Sequence, residues 1–425
     1  METSTTTYDD ANRFFPNSEM STKLILYDFM NLLLFIDDNF DKLAFVFSSI
    51  GIICNVFHIL ILSKKSMRVF TVNIFLLGIG IWDLIRMICE INLVWPTISA
   101  MYIRNSDIPG ECLGPDYYLT LVAFLFCVPT RTMAVQMSVW YGVTIALLRA
   151  LVMRNPMNLR ISSLAESKNG IRVLLIITFL YSPFWIIGYF QNYIDEFEVW
   201  IPPPYCSNLV ENYTRMEYII KDIKIFGLKE EDIYQKSLVA RGILCELIPC
   251  ILLPIFTFLL IFELQKARKL AMGNSTIDRD RSTKLVIGIT VTFLISYGPL
   301  AICHIVEFYT FEHDKLVFVT RRLSLFFKLL TILNGIFHFL FCFFMSYAYR
   351  KTAKELLRIK EKSQTNLRNQ DIPIAYIKAR ITAVRRVTLT VVHRDESVES
   401  NGMDRRKNLH ETRRIAMMFP SSGNL

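Results

Sequence analysis

The chain has 425 residues, of which 52% are hydrophobic and 20% charged, with a formal net charge of +9. The hydrophobic share falls in long runs, which sets the chain apart from a soluble globular domain and points to membrane spans. The basic excess lies beside those runs and toward the C-terminus. No base-stacking platform and no zinc-ligand spacing accompany it among the nine cysteines, which argues against nucleic-acid binding and against a structural zinc site.

Residues 1–42 are polar and acidic, with Asp9, Asp10, Glu19, Asp37, Asp38 and Asp41. The apolar run at 24–36 is interrupted by Asp28 and Asn31 and lacks a basic leader. It is therefore not a signal peptide, and reads as an amphipathic helix or as part of a disordered tail. A first span over 43–63 is long enough to cross a hydrocarbon core of about 30 Å, and leaves through the basic KKSMR. The second span, 71–95, holds Asp83, Arg86 and Glu90. A carboxylate at the depth of Asp83 needs a cation, a hydrogen-bond cage or a proton. Arg86 and Glu90, four residues apart on one helix face, can neutralise one another.

An outer connection with Pro96, Pro109, Gly110, Cys112 and Pro115 is expected over 96–116. The apolar region 117–153 is too long for one straight crossing, so Pro129 is expected to divide an approach segment from the membrane helix. Near its inner end stands Arg149, costly there unless it snorkels to headgroups or faces protein, and Pro156 marks where that helix gives way to a loop. A fourth span covers 171–190. The acidic connection 191–237 includes Cys206 and the glycosylation acceptor pattern Asn212-Tyr-Thr.

A fifth span at 238–263 contains Pro249 and Pro254, a sixth at 284–309 contains Pro299, and a seventh covers 325–347. The segment YRKTAKELLRIK then alternates apolar and basic residues as an amphipathic helix resting on membrane lipids of an anionic leaflet. Beyond 361 the chain is polar and charge-rich, the composition of a disordered tail. The connections 63–70, 153–172 and 264–284 and the tail are basic, whereas the N-terminus and 191–237 are acidic. Basic connections face the cytoplasm, so seven crossings put the N-terminus outside and the C-terminus inside, in a multi-pass protein expected at the plasma membrane. Three regions follow: an extracellular segment 1–42, a seven-transmembrane domain 43–349, and a cytoplasmic helix and tail over 350–425.

With those spans in place the chain resembles the rhodopsin-like G protein-coupled receptors, most closely the nematode serpentine chemoreceptor class W, related to FMRFamide-type peptide receptors. The resemblance covers about 43–350 and is carried by IGIICNVFHILILSKKSMR, WYGVTIALLRALVMRNPM, LIPCILLPIFTFLLIFEL and LNGIFHFLFCFFMSYAYR. It implies an all-α seven-helix bundle with a short eighth helix. Asn55 and Asn73 match framework asparagines of the first and second helices. The resemblance assigns Asp83, Ser138 and Asn334 to an activation network and a possible sodium site, joined by Phe293, Tyr297, Pro299 and His338. It assigns Arg149, Pro156 and Met157 to coupling with a heterotrimeric G protein. It also implies a disulfide at the outer face, where Cys112 and Cys206 are the loop cysteines and Cys127 is the other candidate partner.

Departures accompany the matches. Leu148 precedes Arg149 where the wider family has an acidic residue, tyrosine 297 stands for tryptophan, and the helix-seven N-P-x-x-Y is replaced by His338-Phe339-Leu340-Phe341-Cys342. Arg131 lies eighteen residues before Arg149, five turns nearer the outside on the same face, where amine receptors carry aspartate. With Lys328 and Arg86 it forms a candidate basic pocket, to which Glu90, Glu246, His304 and Glu307 offer counter-charges. Such a pocket suits an extracellular peptide or anionic small molecule; the same residues would equally form internal salt bridges, Arg131–Glu90 or Lys328–Glu246. The spans contain no nucleophile–base pairing of an enzyme and no internal repeat of a transporter. A seven-helix decoy or chaperone that does not signal is the other reading of the altered Arg149 and His338 segments, with a transporter behind it.

Overall fold

The computed structural model describes residues 19–104, 112–155, 158, 161, 163, 166–206, 213–222, 242–270, 276–309 and 314–357. The chain divides into two units, Met1–Lys360 and Glu361–Leu425, of which the second lies outside the described residues. Pro156, Met157, Asn212 and the side chain of Glu246 also lie outside them.

Seven long helices form an α-helical membrane bundle. They are α1 (Met20–Leu62), α2 (Thr71–Arg104), α3 (Tyr118–Arg154), α4 (Ser167–Tyr189), α5 (Ile248–Leu270), α6 (Thr276–Tyr309) and α7 (Asp314–Met345), followed by a short α8 (Tyr347–Leu356). Among the described residues, six of the eight are long and apolar enough to cross a bilayer; α2 is the long helix that falls short. The reason is chemical: Asp83, Arg86 and Glu90 interrupt its apolar run. α3 occupies the middle, packed against α2, α4, α5 and α6, while α7 closes the ring between α6 and α1. Exposed side chains such as Phe179, Leu175 and Ile53 cover the outer faces of α4 and α1, the distribution expected of a lipid-facing surface.

Several boundaries differ from the sequence-based expectations. α1 does not begin near 43; it is one continuous helix from Met20, about 65 Å long at 1.5 Å per residue. Its early turns hold because Leu33 and Ile36 are buried and Asp37 is ion-paired with the Arg322 guanidinium on α7 at 2.9 Å. Pro96 sits inside α2 rather than in a loop, and Pro129 inside an unbroken α3. Proline is tolerated within a membrane helix where hydroxyls and neighbouring helices meet freed carbonyls. Ser99 donates to Pro96 O at 2.8 Å and Thr132 to Val128 O at 3.1 Å, hydroxyl bonds within the same helices beside the carbonyls of Asn92 and Leu125 that the prolines leave without an amide donor.

The acidic connection after α4 is not simply a loop. It contains an antiparallel hairpin, β1 (Asn192–Trp200) and β2 (Arg215–Asp222), with a register irregularity between Glu196 and Val199. The hairpin is fastened to the N-terminal end of α3: Tyr218 meets the Tyr118 ring edge-on, Arg215 stacks over Tyr117 at 3.3 Å, and Cys206 is disulfide-bonded to Cys112. The expected Cys112–Cys206 pairing is the one formed, and Cys127 is a free, buried thiol. A six-residue π-helical turn, Gly242–Leu247, leads into α5.

α1, α2 and α7 approach closely around Met87, which is fully buried. A Cβ at Gly51 of α1 would lie 2.8 Å from its sulfur, and one at Gly335 of α7 would lie 2.8 Å from its methyl carbon. The two glycines thus leave the slot that the Met87 side chain fills. At the other end Ser346 ends α7 in extended backbone and caps α8 by accepting from Tyr349 N at 3.2 Å. Tyr349, Thr352 and Ala353 turn one face of α8 into the bundle, and Lys351, Lys354 and Glu355 remain exposed on the other.

Candidate functional site

The inner face of α2 carries Asp83, Arg86 and Glu90 at intervals of three and four residues, so helical periodicity stacks them on one side. All three are nearly inaccessible, 1%, 3% and 4% exposed. Charge at that burial persists only when it is paired and hydrogen-bonded. Each of the three is hydrogen-bonded to other helices, although Arg86 meets only neutral acceptors.

Asp83 accepts from the Ser138 hydroxyl of α3 at 2.9 Å through one carboxylate oxygen. Its other oxygen is 2.8 Å from His338 Nδ1 of α7. Arg86 donates to the Tyr297 hydroxyl of α6 at 3.1 Å and to Thr331 O of α7 at 2.8 Å, and also to the Thr331 hydroxyl. Glu90 is paired with Arg131 of α3 at 3.3 Å. The expected self-neutralisation of Arg86 with Glu90 is therefore not the pairing formed; each charge bonds across the bundle instead. Of the Arg131–Glu90 and Lys328–Glu246 salt bridges considered from the sequence, the first is present and the second involves a side chain outside those described.

Aromatic contacts close this set into a circuit. The Phe293 ring lies 5.2 Å from Tyr297 one turn above it on α6 and 5.2 Å from His338 on α7. Arg86 and Asp83 are thus tied together twice: along α2, and through Tyr297, Phe293 and His338. Pro299 follows Tyr297 within α6, and His304 further along is buried. Lys328 and Glu307 are half-buried on α7 and α6. Arg131 is the accessible charge of the group, with 34% of its side chain exposed against 6% for its partner Glu90.

As a cage for a sodium ion the residues fit poorly. Asp83, Ser138 and Asn334 are all buried, and Asn334 makes no hydrogen bond at either side-chain atom among the described residues. Yet His338 already meets the second carboxylate oxygen, so a hard cation there would have to displace a nitrogen donor. Among the described residues no group of His, Cys, Asp or Glu side chains is arranged to hold a metal. Asp83 instead has a side-chain partner at each of its two carboxyl oxygens.

Toward the other end, Asn55 donates to Gly51 O of its own helix at 3.0 Å and to Gly335 O of α7 at 3.4 Å. His58, one turn further along α1, is 2.8 Å from the Tyr349 hydroxyl of α8. Neither residue of that second contact was singled out from the sequence. The Asn55–His58 spacing on one face of an apolar helix was the available signal, and it says nothing about α8. Arg149 on α3 differs in having no side-chain hydrogen bond and no ion pair among the described residues. Leu148 before it removes the nearest place where such a partner could stand.

A family model described as "Serpentine type 7TM GPCR chemoreceptor Srw" matches residues 42–360 of the chain. No protein of curated function matches it.

Proposed function

Because the chain belongs to the serpentine seven-transmembrane chemoreceptor family Srw, a family of multi-pass membrane receptors, we propose that it binds an extracellular ligand between α2, α3, α6 and α7 and activates a heterotrimeric G protein. The ligand is a peptide or small molecule with an acidic or carbonyl-rich end. The observation that carries this is the linked set Arg131–Glu90 and Arg86–Tyr297–Thr331, which joins an accessible cation to the helix pair α6–α7.

An incoming carboxylate competes with Glu90 for Arg131. Glu90, once released, is four residues from Arg86 on the same face and draws its guanidinium away from Tyr297 and Thr331. α6 then loses its polar tie to α2, and the population shifts toward a state with an opened inner end. There Arg149, Pro156, Met157 and the basic 264–284 connection form the docking surface for the G protein. An N-terminus outside and a cytoplasmic C-terminus at the plasma membrane agree with the basic connections. A disulfide at the hairpin end, which needs an oxidising compartment, supports the same orientation. Asn212, beside that disulfide in sequence, is then available for glycosylation.

The test is ligand-triggered nucleotide exchange on a co-expressed G protein, screened with short amidated peptides and small acids. A responding ligand should lose its effect on Arg131→Glu while the variant still reaches the cell surface. An unchanged response in that variant removes Arg131 from the ligand site. A panel without any response, on a receptor shown to be at the surface, favours a seven-helix protein that does not signal.

A further inference from the structure

A cavity of about 430 Å³ lies between α3, α4 and the hairpin. That volume falls within the range of small-molecule sites, about 300–1,000 Å³. Its wall residues Thr132 and Gln136 lie on a different face of α3 from Arg131 and Ser138, about a quarter of a turn or more round the helix. Its rim includes Phe124, Phe184 and Ile187, which are exposed on the surface that a bilayer covers.

Four polar side chains line it: Thr132, Gln136, Gln191 and Asn192. No charged residue does. Thr132 spends its proton on Val128 O, and the indole N–H of Trp185, also in the wall, is donated to Thr130. Gln136 is different. It is 5% exposed, lines the cavity, and its amide has no hydrogen-bond partner among the described residues. A buried amide with both a donor and an acceptor to spare destabilises the fold unless something meets it.

We propose that this cavity is a second ligand site, for an uncharged single-chain amphipathic molecule that sets a hydroxyl or carbonyl end on Gln136 and an apolar body between α3 and α4. The uncharged lining excludes an anionic or zwitterionic headgroup, which would be buried there without a counter-charge. A two-chain phospholipid carries such a headgroup; a long-chain alcohol does not.

The test uses the full chain in phosphatidylcholine nanodiscs with a dodecyl alcohol bearing a mid-chain diazirine. Photolabelling should concentrate on the peptides containing 124–136 and 184–192, and excess unlabelled dodecanol should compete it away. Gln136→Leu, close in volume, should weaken labelling roughly fivefold or more, the equivalent of one lost buried hydrogen bond. Val128→Trp should abolish it by filling the space, with the thermal transition of each variant checked against the parent. Labelling spread evenly over all lipid-facing segments, or indifferent to both substitutions, would overturn the proposal. So would equal labelling of the same peptides by a diazirine phosphatidylcholine, which would make the cavity a seat for ordinary bilayer lipid.

Discussion

Two arginines inside the same bundle are held in opposite ways. Arg86 is almost fully buried and bonded to α6 and α7 through its terminal nitrogens, with its Nε unmet, whereas Arg149 at the far end of α3 has neither an ion pair nor a side-chain hydrogen bond among the described residues. A buried cation with well-placed acceptors links helices; one without them is a cost that an apolar residue would relieve. The restraint on helix movement is therefore concentrated at the circuit of Asp83, Arg86, Tyr297 and His338, and the base of α3 contributes little to it. Arg149 has its donors unspent within the bundle, which is compatible with the docking role proposed for it.

Removing the acceptor that two helices share is the strongest way to break that contrast. Asp83→Ala leaves Ser138 and His338 without their common partner, and loss of one member of a buried pair costs about 3–5 kcal/mol. The expected result is a large fall in surface expression and in the apparent melting temperature of purified receptor, with Asp83→Asn intermediate because an amide still bonds to both. Next in size is Tyr297→Phe, which keeps the ring stack on Phe293 and deletes the hydroxyl that Arg86 meets. A lost interhelical hydrogen bond in a membrane is worth about 1 kcal/mol. That is a small change in stability, but it should raise ligand-independent nucleotide exchange about fivefold, because it weakens the tie between α6 and α2. Tyr297→Phe with basal exchange at the parental level would mean that the tie does not restrain α6.

Arg149→Leu sharpens the same contrast from the other side. Since no pairing is lost, its melting temperature should match or slightly exceed the parent's, within about 0.5 kcal/mol. G protein activation should be abolished if Arg149 is a docking residue. A clear loss of stability would instead reveal a structural bond at the base of α3.

How much of this was legible in the sequence follows the same division. Apolar runs located every crossing, because a span must be continuous. They failed where polar residues punctuate a helix: Asp28, Asn31, Asp37 and Asp38 concealed the first half of α1, whose buried residues Leu33 and Ile36 are only one stripe. Pro96 and Pro129 read as breaks, since a proline is tolerated inside a membrane helix only through the packing of neighbouring helices, which is a three-dimensional fact. β1 escaped notice because its alternation is disturbed where Glu196 and Val199 shift register. Within the site, Arg131–Glu90 was visible as a possibility from charge alone. The Arg86–Tyr297 bond, 211 residues apart, was not, because it depends on which faces of α2 and α6 meet.

The smallest expected effect comes from a charge pair outside the membrane. Lys221 donates to Asp195 across the hairpin, both side chains more than two-fifths exposed. The hydrogen bond from Lys221 draws the Asp195 carboxyl below its usual range, and the same bond raises the Lys221 ammonium above its own. A depressed carboxylate contributes stability above its unfolded value and loses it as pH falls through the folded one. A raised ammonium contributes below its unfolded value and loses it as pH climbs through the folded one. Between about pH 5 and 9 both groups stay charged, so the hairpin should show no pH dependence from this pair. Because exposed pairs are screened, Lys221→Gln should leave the melting temperature unmoved at physiological salt, the hairpin being held by Cys112–Cys206 and the Tyr118–Tyr218 contact. A measurable drop on that substitution would place the hairpin's stability in its charges and remove the distinction between bonds made inside the bundle and those made in water.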